Sequence, residues 1–456
     1  MLYLRLVIFI ACALFFFRLD AQSISELQKA EKYFQLRDFD NAYKRFTKVL
    51  ESNDDKADAL WRLGDIHFLR YEYEKALEYY AEASSLVWKS DEHTRRYIET
   101  LIQFNKVNEA FRWAINLEGK NEDVGTRLIN KIEFIKTHSG DASSYNVTMS
   151  EISSKSADYG ASFMADDYFV YSSARGDIKR SLQTKGPENW AGQNFNQLFI
   201  APMNLDKSYD RPLFLRGDLE HEYNEGPLGV SPDGEWVALT KNNFLDGMSQ
   251  IYSPGVERNL YTGRWHDKGQ WKDLQAYEHN VQGYSTGMAC FNSDATIMYF
   301  ASNRPGGVGG FDIYCSKKDN GRWTEPVNMG PVVNSPGNEV TPFFNDNSLF
   351  FSSDLHPGFG GLDVYRAEIS DFETPNKIYH LGTEVNSPFD DYYFTYNYDT
   401  EKGLLSSNRR MGYAEDIYTV EGLGHRMKIK VLDASTGKGL SKAVILFEKC
   451  VNDQLI

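Results

Sequence analysis

The sequence predicts a multidomain α+β chain: an N-terminal helical solenoid, an all-β propeller, and the opening strands of a β-sandwich. Three observations carry this. Residues 22–138 hold no proline and repeat small residues every 34 positions. Gly-Gly-Phe-Asp-Ile-Tyr at 309–314 returns as Gly-Gly-Leu-Asp-Val-Tyr at 360–365 and, worn, as Tyr-Ala-Glu-Asp-Ile-Tyr at 413–418. Their aspartates, Asp312, Asp363 and Asp416, lie about 50 residues apart, the length of a propeller blade. After residue 427, alternating apolar positions resume around a Thr-Gly turn.

The chain has 456 residues and a net charge of −15. That length calls for two or three domains. A chain this acidic, with no basic stripe, repels nucleic acid, so no nucleic-acid partner is expected. Residues 1–21 read as a secretory signal peptide: Arg5, an apolar run from Leu6 to Phe17, and small Ala21 before Gln22. The run is short for a membrane span. An uncleaved anchor and lipid attachment at Cys12 are the alternatives. Export then leaves Cys290, Cys315 and Cys450, an odd count that argues against a disulfide framework. Cys290 and Cys315 fall on the first and third strands of one blade. Such strands stand roughly 9–10 Å apart, and a disulfide needs Cα atoms within about 7 Å. Both are expected as free, buried thiols.

In the helical segment, Ala42, Ala76 and Ala110 share one frame, as do Ala30, Gly64 and Ile98, and Val49, Ala83 and Leu117. Phe46 and Tyr80 share an aromatic position, where the third unit has Ala114. Small residues at fixed positions let paired helices approach closely. The pattern resembles the tetratricopeptide repeat, and residues 120–138 would cap it. The resemblance implies a concave groove lined by the first helix of each pair. It places Glu31, Phe34, Trp61, Asp65, Phe68, Arg95 and Glu99 on or near that groove, as candidate protein-binding residues. Phe34 and Phe68 fit packing between helices equally well. Trp61 lies one residue off the packing positions Leu60 and Gly64, which turns it towards the groove.

From 145 to 421 short apolar runs alternate with Gly, Pro, Asn and Asp, the mark of many short strands. One unit reads in full: strands at Gly287–Phe291, Ile297–Ser302 and Phe311–Lys317, and a fourth near Val327–Val333. Turns between first and second strands recur at 165–167, 231–234, 292–294, 345–347 and 398–399, which makes five units. A sixth blade would have to sit in the insertions at 176–196 or 254–272. The last unit lacks a fourth strand after Tyr418, whereas Tyr145–Ser153 looks like a fourth strand before the first unit. The ring is therefore expected to close by pairing this N-terminal strand into the last blade, which removes open sheet edges. These units resemble the WD40-like repeats of TolB-type propellers. Asp312, Asp363 and Asp416 are expected to be structural, accepting hydrogen bonds from backbone N–H groups of the glycine-rich loops.

The chain has no HExxH, P-loop, G-x-S-x-G or paired cysteine motif. Gly306–Gly310 links two strands instead of opening a helix, so no phosphate site is expected there. His221 and His279 sit at equivalent repeat positions, which suggests structure. No catalytic residue, metal or cofactor is expected.

Residues 427–456 resemble the start of a carboxypeptidase regulatory-like β-sandwich. That domain takes seven or so strands, so this stretch reads as a fragment or as a hairpin borrowed by another surface. The order of segments is similar to that of the OmpA-family envelope proteins of the PorE type, from the type IX secretion system. The resemblance implies a non-enzymatic periplasmic scaffold, associated with the outer membrane and binding envelope or secretion-system proteins through both the helices and the propeller. Peptidoglycan would be a partner only if an OmpA-like domain followed. A propeller sensing a glycan or peptide is the second reading, and a propeller hydrolase the third.

Overall fold

The computed structural model describes residues 25–52, 55–86, 90–164, 168–176, 194–202, 211–215, 225–242, 258–266, 270–369 and 375–423, with 433, 436, 450–451 and 454–455 beyond them. The expected signal peptide, the turn at 165–167, His221 and most of the expected β-sandwich lie outside the described residues. Helices and propeller belong to one compact unit ending at Gly422. In the second unit, Cys450–Val451 pairs with Gln454–Leu455, and Thr436 donates its backbone N–H to Asp433.

Among the described residues seven helices precede the strands: α1 (Glu26–Gln35), α2 (Phe39–Ser52), α3 (Lys56–Leu69), α4 (Tyr73–Ser84), α5 (Asp91–Gln103), α6 (Val107–Glu118) and α7 (Glu122–His138). Ser25 opens α1 with a reciprocal capping box to Gln28. Ser90 and Asn121 cap α5 and α7 through their side chains. The 34-residue frame is the packing frame. Ala30, Ala42, Ala76, Ala83, Ile98, Ala110 and Leu117 are all fully buried. At Gly64 even a Cβ would collide with the Tyr80 ring.

The same period marks the turns. Arg37, Tyr71 and Asn105 each end a first helix in the left-handed region, at φ 57°, 60° and 56°. The next N–H reaches back to a carbonyl five residues before it: Asp38 to Tyr33, Glu72 to His67, Lys106 to Leu101. This is the Schellman closure, here without the usual glycine.

The propeller has five sheets. A lone strand, β1 (Tyr145–Met149), precedes them. Blade 1 holds β2 (Asp158–Met164), β3 (Tyr168–Ser173), β4 (Gln197–Pro202) and β5 (Leu213–Phe214). Blade 2 holds β6 (Glu225–Val230), β7 (Trp236–Asn242), β8 (Arg258–His266) and β9 (Gln270–Ala276). Blade 3 holds β10 (Thr286–Phe291), β11 (Ile297–Ser302), β12 (Asp312–Asp319), β13 (Arg322–Trp323) and β14 (Val327–Asn328). Blade 4 holds β15 (Glu339–Asn345), β16 (Ser348–Ser353), β17 (Asp363–Glu368) and β18 (Ile378–His380). Blade 5 holds β19 (Asp391–Asn397), β20 (Lys402–Ser407) and β21 (Asp416–Gly422).

Five blades is thus the count among the described residues. Of the candidates for a sixth, 177–193 lies outside the described residues, and the described part of 254–272 belongs to β8 and the start of β9 of blade 2. The expected fourth strand of blade 3 at Val327–Val333 is shorter than read. Gly330 turns out of it at φ 79°. The side chain of Asn334 then takes over the ladder, accepting from Ile313 N (2.7 Å) and donating to Ile313 O (3.0 Å). Asn386 does the same for Val364 in blade 4.

The ring closes as expected: β1 pairs antiparallel with β21, from Tyr145 opposite Gly422 to Met149 opposite Tyr418. Between every two blades lies an apolar layer. One joins Phe169, Tyr171 and Phe199 of blade 1 to Leu404 and Ile417 of blade 5.

Every innermost strand carries a bulge. The register breaks between Tyr159 and Ser162, Glu225 and Leu228, Gly287 and Cys290, Val340 and Phe343, and Tyr392 and Thr395. At each break one residue is left-handed: Gly160 (φ 67°), Gly226 (95°), Met288 (55°), Thr341 (53°) and Tyr393 (49°). For a β-branched threonine this is a true outlier, and such strain costs about 1–3 kcal/mol per site. Hydroxyls of the preceding blade hold three of the freed N–H groups. Gly160 donates to Ser406 (3.0 Å), Met288 to Thr240 (2.8 Å) and Tyr393 to Thr341 (3.2 Å).

Closure generates a test. Ser150 N–H bonds Ile417 O at 2.9 Å. Alternation along the ladder makes Thr148, opposite Thr419, a hydrogen-bonded pair. The Thr148 side chain is exposed, so Thr148→Pro acts on the backbone. It is expected to lower stability in urea by about 1–3 kcal/mol and to promote association on size-exclusion chromatography. Unchanged stability would mean that β1 does not close the ring.

Candidate functional site

The groove residues expected on the helices do not form one open surface. Trp61 is fully buried, a correction to its expected place in the groove. Its ring lies 5.5 Å from His93 and 6.3 Å from Tyr97 on α5, and 5.6 Å from Tyr80 on α4. The next helical pair closes over it. Asp65 is also fully buried. Arg62 (3.1 Å), Arg96 (3.0 Å) and His93 (2.9 Å) surround its carboxylate, and the Tyr80 hydroxyl donates to it at 2.9 Å. Burial would raise its pKa, but contact with His93 and the charges of Arg96 and Arg62 hold it at about 2.

Glu31 accepts from Arg62 at 2.8 Å, and the Arg62 guanidinium lies 4.5 Å from the Phe34 ring centre. Phe34 and Phe68 are half-buried, packed on Phe39 (5.4 Å) and Tyr73 (5.6 Å). Arg95 donates to Glu99 at 2.8 Å and lies 3.5 Å from Asp354 of the propeller. Glu99 is buried beneath it, and that burial raises its pKa.

The groove thus ends against the chain's own propeller. Lys131 of α7 is buried, and its Nζ donates to the carbonyls of Gly361 (3.1 Å) and Asp354 (3.2 Å), with Asp363 Oδ2 3.7 Å away. Phe134 packs on Phe359 (5.4 Å) and His380 (4.9 Å), and Phe359 joins the helical core cluster. At blade 5, the Tyr71 hydroxyl donates to Glu415 at 2.6 Å, and Asn408 donates to the Tyr73 hydroxyl at 2.8 Å. The seam therefore joins the turns and last helix of the solenoid to the loops between second and third strands of blades 4 and 5.

Two of the repeated aspartates do what their spacing predicts. Asp312 accepts from the N–H groups of Val308 (2.5 Å) and Gly309 (3.0 Å), and Asp363 from those of Phe359 (2.9 Å) and Gly360 (3.0 Å). Asp416 departs from the expected pattern. Its loop has Tyr413-Ala414-Glu415 where blade 4 has Gly360-Gly361-Leu362, and Tyr413 N–H turns to Arg410 O instead. Arg410 donates to Asp416 Oδ1 at 2.6 Å, and Oδ2 is buried without a partner among the described residues. Burial, opposed by the Arg410 charge, pushes its pKa up to about 6.

A second set of buried acids starts the inner strands, and the sequence reading missed it. Asp158, Glu339 and Asp391 each accept the N–H of a serine four residues earlier: Ser154 (2.5 Å), Ser335 (2.7 Å) and Ser387 (2.6 Å). Burial raises the pKa of all three, Glu339 to about 8 despite hydrogen bonds from Ser353 and Ser335. The legible signal was Val-Asn-Ser-Pro, at 333–336 and again at 385–388.

At the other end of the inner strands, next to the turns between first and second strands, lies a cavity of about 190 Å³ on the axis. Phe163, Met288, Thr341, Phe344 and Tyr393 line it, so three of the left-handed residues face one space. Cys290 also lines it. As expected, Cys290 and Cys315 are free and buried, with β11 between their strands. Burial raises both thiol pKa values, that of Cys315 to about 12. His279 is within hydrogen-bond distance of Trp323 O at 3.0 Å, a structural contact. Among the described residues no group of three or more His, Cys, Asp or Glu is placed to hold a metal ion, and no helix is long and apolar enough to cross a membrane.

No protein-family profile and no curated protein matches the chain. Similar solved structures include TolB from Acinetobacter baumannii, with 15% identity over 50% of this chain and 48% of that one, at a TM-score of 0.32. They also include a putative TolB from Agrobacterium tumefaciens (13%, 47% and 66%, 0.31) and a protein of unknown function from Dyadobacter fermentans (13%, 57% and 75%, 0.34). The chain spans about half the length of the first and 66% of the second.

Two outcomes follow. Asp312→Ala orphans two loop amides and is expected to cost about 1–3 kcal/mol; Asp363→Ala is expected to cost more, because it also leaves Lys131 buried without its carboxylate. Equal losses in chemical denaturation would mean that Lys131 does not depend on Asp363. For Asp416 the folded carboxyl keeps its proton up to about pH 6, while the unfolded one loses it near 3.8. Its contribution to stability therefore falls as pH rises across that window. Asp416→Asn should flatten this part of the stability–pH curve, and an unchanged slope would remove Asp416 as its source.

Proposed function

We propose that this chain is a non-enzymatic scaffold of the bacterial envelope. It resides in the periplasm beside the outer membrane and binds envelope or secretion-system proteins through its helical repeats and its propeller. The observation that carries this reading is the buried joint at Lys131. It holds a helical array and a propeller as one body, with the axial cavity at the end of the propeller away from the helices. A body of that kind presents two separate surfaces at a fixed distance, which is what an adaptor requires.

Several features support the finer points. The 34-residue frame and its left-handed turns agree with tetratricopeptide repeats, and the apolar start at 6–17 agrees with export. The order of segments agrees with the PorE type. The buried carboxylates Asp312, Asp363, Glu339 and Asp391 are spent on backbone N–H groups, which leaves them poorly placed for acid–base chemistry.

A second reading, a propeller that senses a glycan or peptide, is favoured by the axial cavity with its aromatic lining and strained backbone. Cross-linking mass spectrometry of the whole protein with envelope proteins separates the two. The adaptor reading expects saturable protein partners whose cross-links fall on the helices and on the propeller, with Glu31→Arg weakening the helical set by about tenfold. Saturable binding on a glycan array, with no protein cross-linked, would replace it by the second reading.

A further inference from the structure

We propose that the loop Asn303–Gly310 of blade 3 is a second helix seat, built like the one that α7 fills on blade 4. It would take a partner-protein helix carrying a lysine and an aromatic residue three positions apart.

The two loops are the same device. Ser302 pairs with Asp312 as Ser353 pairs with Asp363. Counting back from each aspartate, Val308 stands where Phe359 stands, Gly310 where Gly361 stands, and Asn303 takes the place of Asp354. In both loops the aspartate accepts two consecutive N–H groups. The last glycine is anchored alike, Gly310 N–H to Gly337 O at 2.7 Å and Gly361 N–H to Phe389 O at 3.2 Å.

Occupancy is where they differ. On blade 4, residues 358–361 are buried, with Phe359 5% exposed. On blade 3, Asn303 and residues 305–310 are exposed, with Val308 at 40%. The carbonyls that Lys131 bonds on blade 4 are those of Asp354 and Gly361. Among the described residues nothing donates to their counterparts, Asn303 O and Gly310 O. The open seat is continuous with the filled one. Phe311 N–H bonds the Asn338 side chain at 3.1 Å, and Asn338 bonds Asp354 through both N–H groups at 2.7 Å.

The filled seat specifies the occupant. On α7, Lys131 and Phe134 lie three residues apart on one face: the ammonium caps two loop carbonyls beside an aspartate, and the ring covers the apolar loop residue. Asp312 stands where Asp363 stands and adds its negative charge beside the open carbonyls, although its Oδ2 also accepts from Asn328, the counterpart of His380, at 2.8 Å; the chain's net charge of −15 draws cationic groups. Arg304, where blade 4 has Leu355, is engaged elsewhere: it bonds Ser302 Oγ at 3.2 Å and its guanidinium lies 5.0 Å from the Tyr314 ring centre. Valine in place of phenylalanine leaves more room for the partner's ring.

This deepens the adaptor reading by naming a kind of partner, but its test needs no native partner and can fail while that reading stands. A fluorescent, helix-stabilised peptide with the sequence of residues 122–138 is titrated into the whole protein and followed by anisotropy. The expected result is saturable binding with a Kd of about 10–100 µM. Val308→Lys should weaken it about tenfold or more, and Val308→Phe should tighten it about threefold. Alanine in the peptide at the Lys131 or the Phe134 position should abolish it. Val308 is exposed, so its variants should melt like the parent. Three outcomes overturn the proposal: no binding, binding indifferent to Val308, which would mean that the peptide displaces α7 from blade 4, or self-association through Val308, which would make a second copy the occupant.

Discussion

Backbone N–H groups in a tight, glycine-rich turn have no sheet to bond, and a buried one left unpaired costs as much as a lost hydrogen bond. In this propeller carboxylates meet that need. Asp312 and Asp363 each gather two loop amides, and Asp158, Glu339 and Asp391 each receive the amide of a serine at the entry to an inner strand. The loop on blade 4 is rigid enough to present two carbonyls to Lys131 because Asp363 holds it from behind. The docking of the last helix on blade 4 therefore draws on the same carboxylate that shapes a single turn. Where the carboxylate loses its loop amides, at Asp416, an arginine substitutes for them and one oxygen has no partner among the described residues.

Much of the fold was legible because its signals are local and repeated. Small residues every 34 positions marked close helix contacts, and those residues are the buried ones. A missing fourth strand after Tyr418 and a surplus one at Tyr145 pointed to closure, and the pairing joins those two segments. The cysteines could be placed because strand order fixes their separation.

What escaped has a common cause. The place of Trp61 in its own helical pair points it to the groove, but His93 and Tyr97 of the next pair, together with Tyr80 of its own, cover it. The fourth strand of blade 3 was read as a run of apolar residues, whereas the Asn334 amide does the pairing through its side chain. The joint between helices and propeller links Lys131 to residues more than 200 positions away. No periodicity in a sequence records a contact of that separation. The candidate groove was accordingly the least legible part: its residues lie where the repeat puts them, but the propeller and the neighbouring helices decide which of them meet solvent.

The bulges of the inner strands separate two properties of the axial cavity that are coupled in most binding sites. Its bore is set by backbone: five strands kink at the same level, and hydroxyls of neighbouring blades hold three of the kinks. Its lining is set by side chains such as Phe163, Met288 and Phe344, which project from that frame. Exchanging the lining would therefore change what the mouth of the ring prefers while the backbone frame stays as it is, and the frame could carry different selectivities through a handful of substitutions.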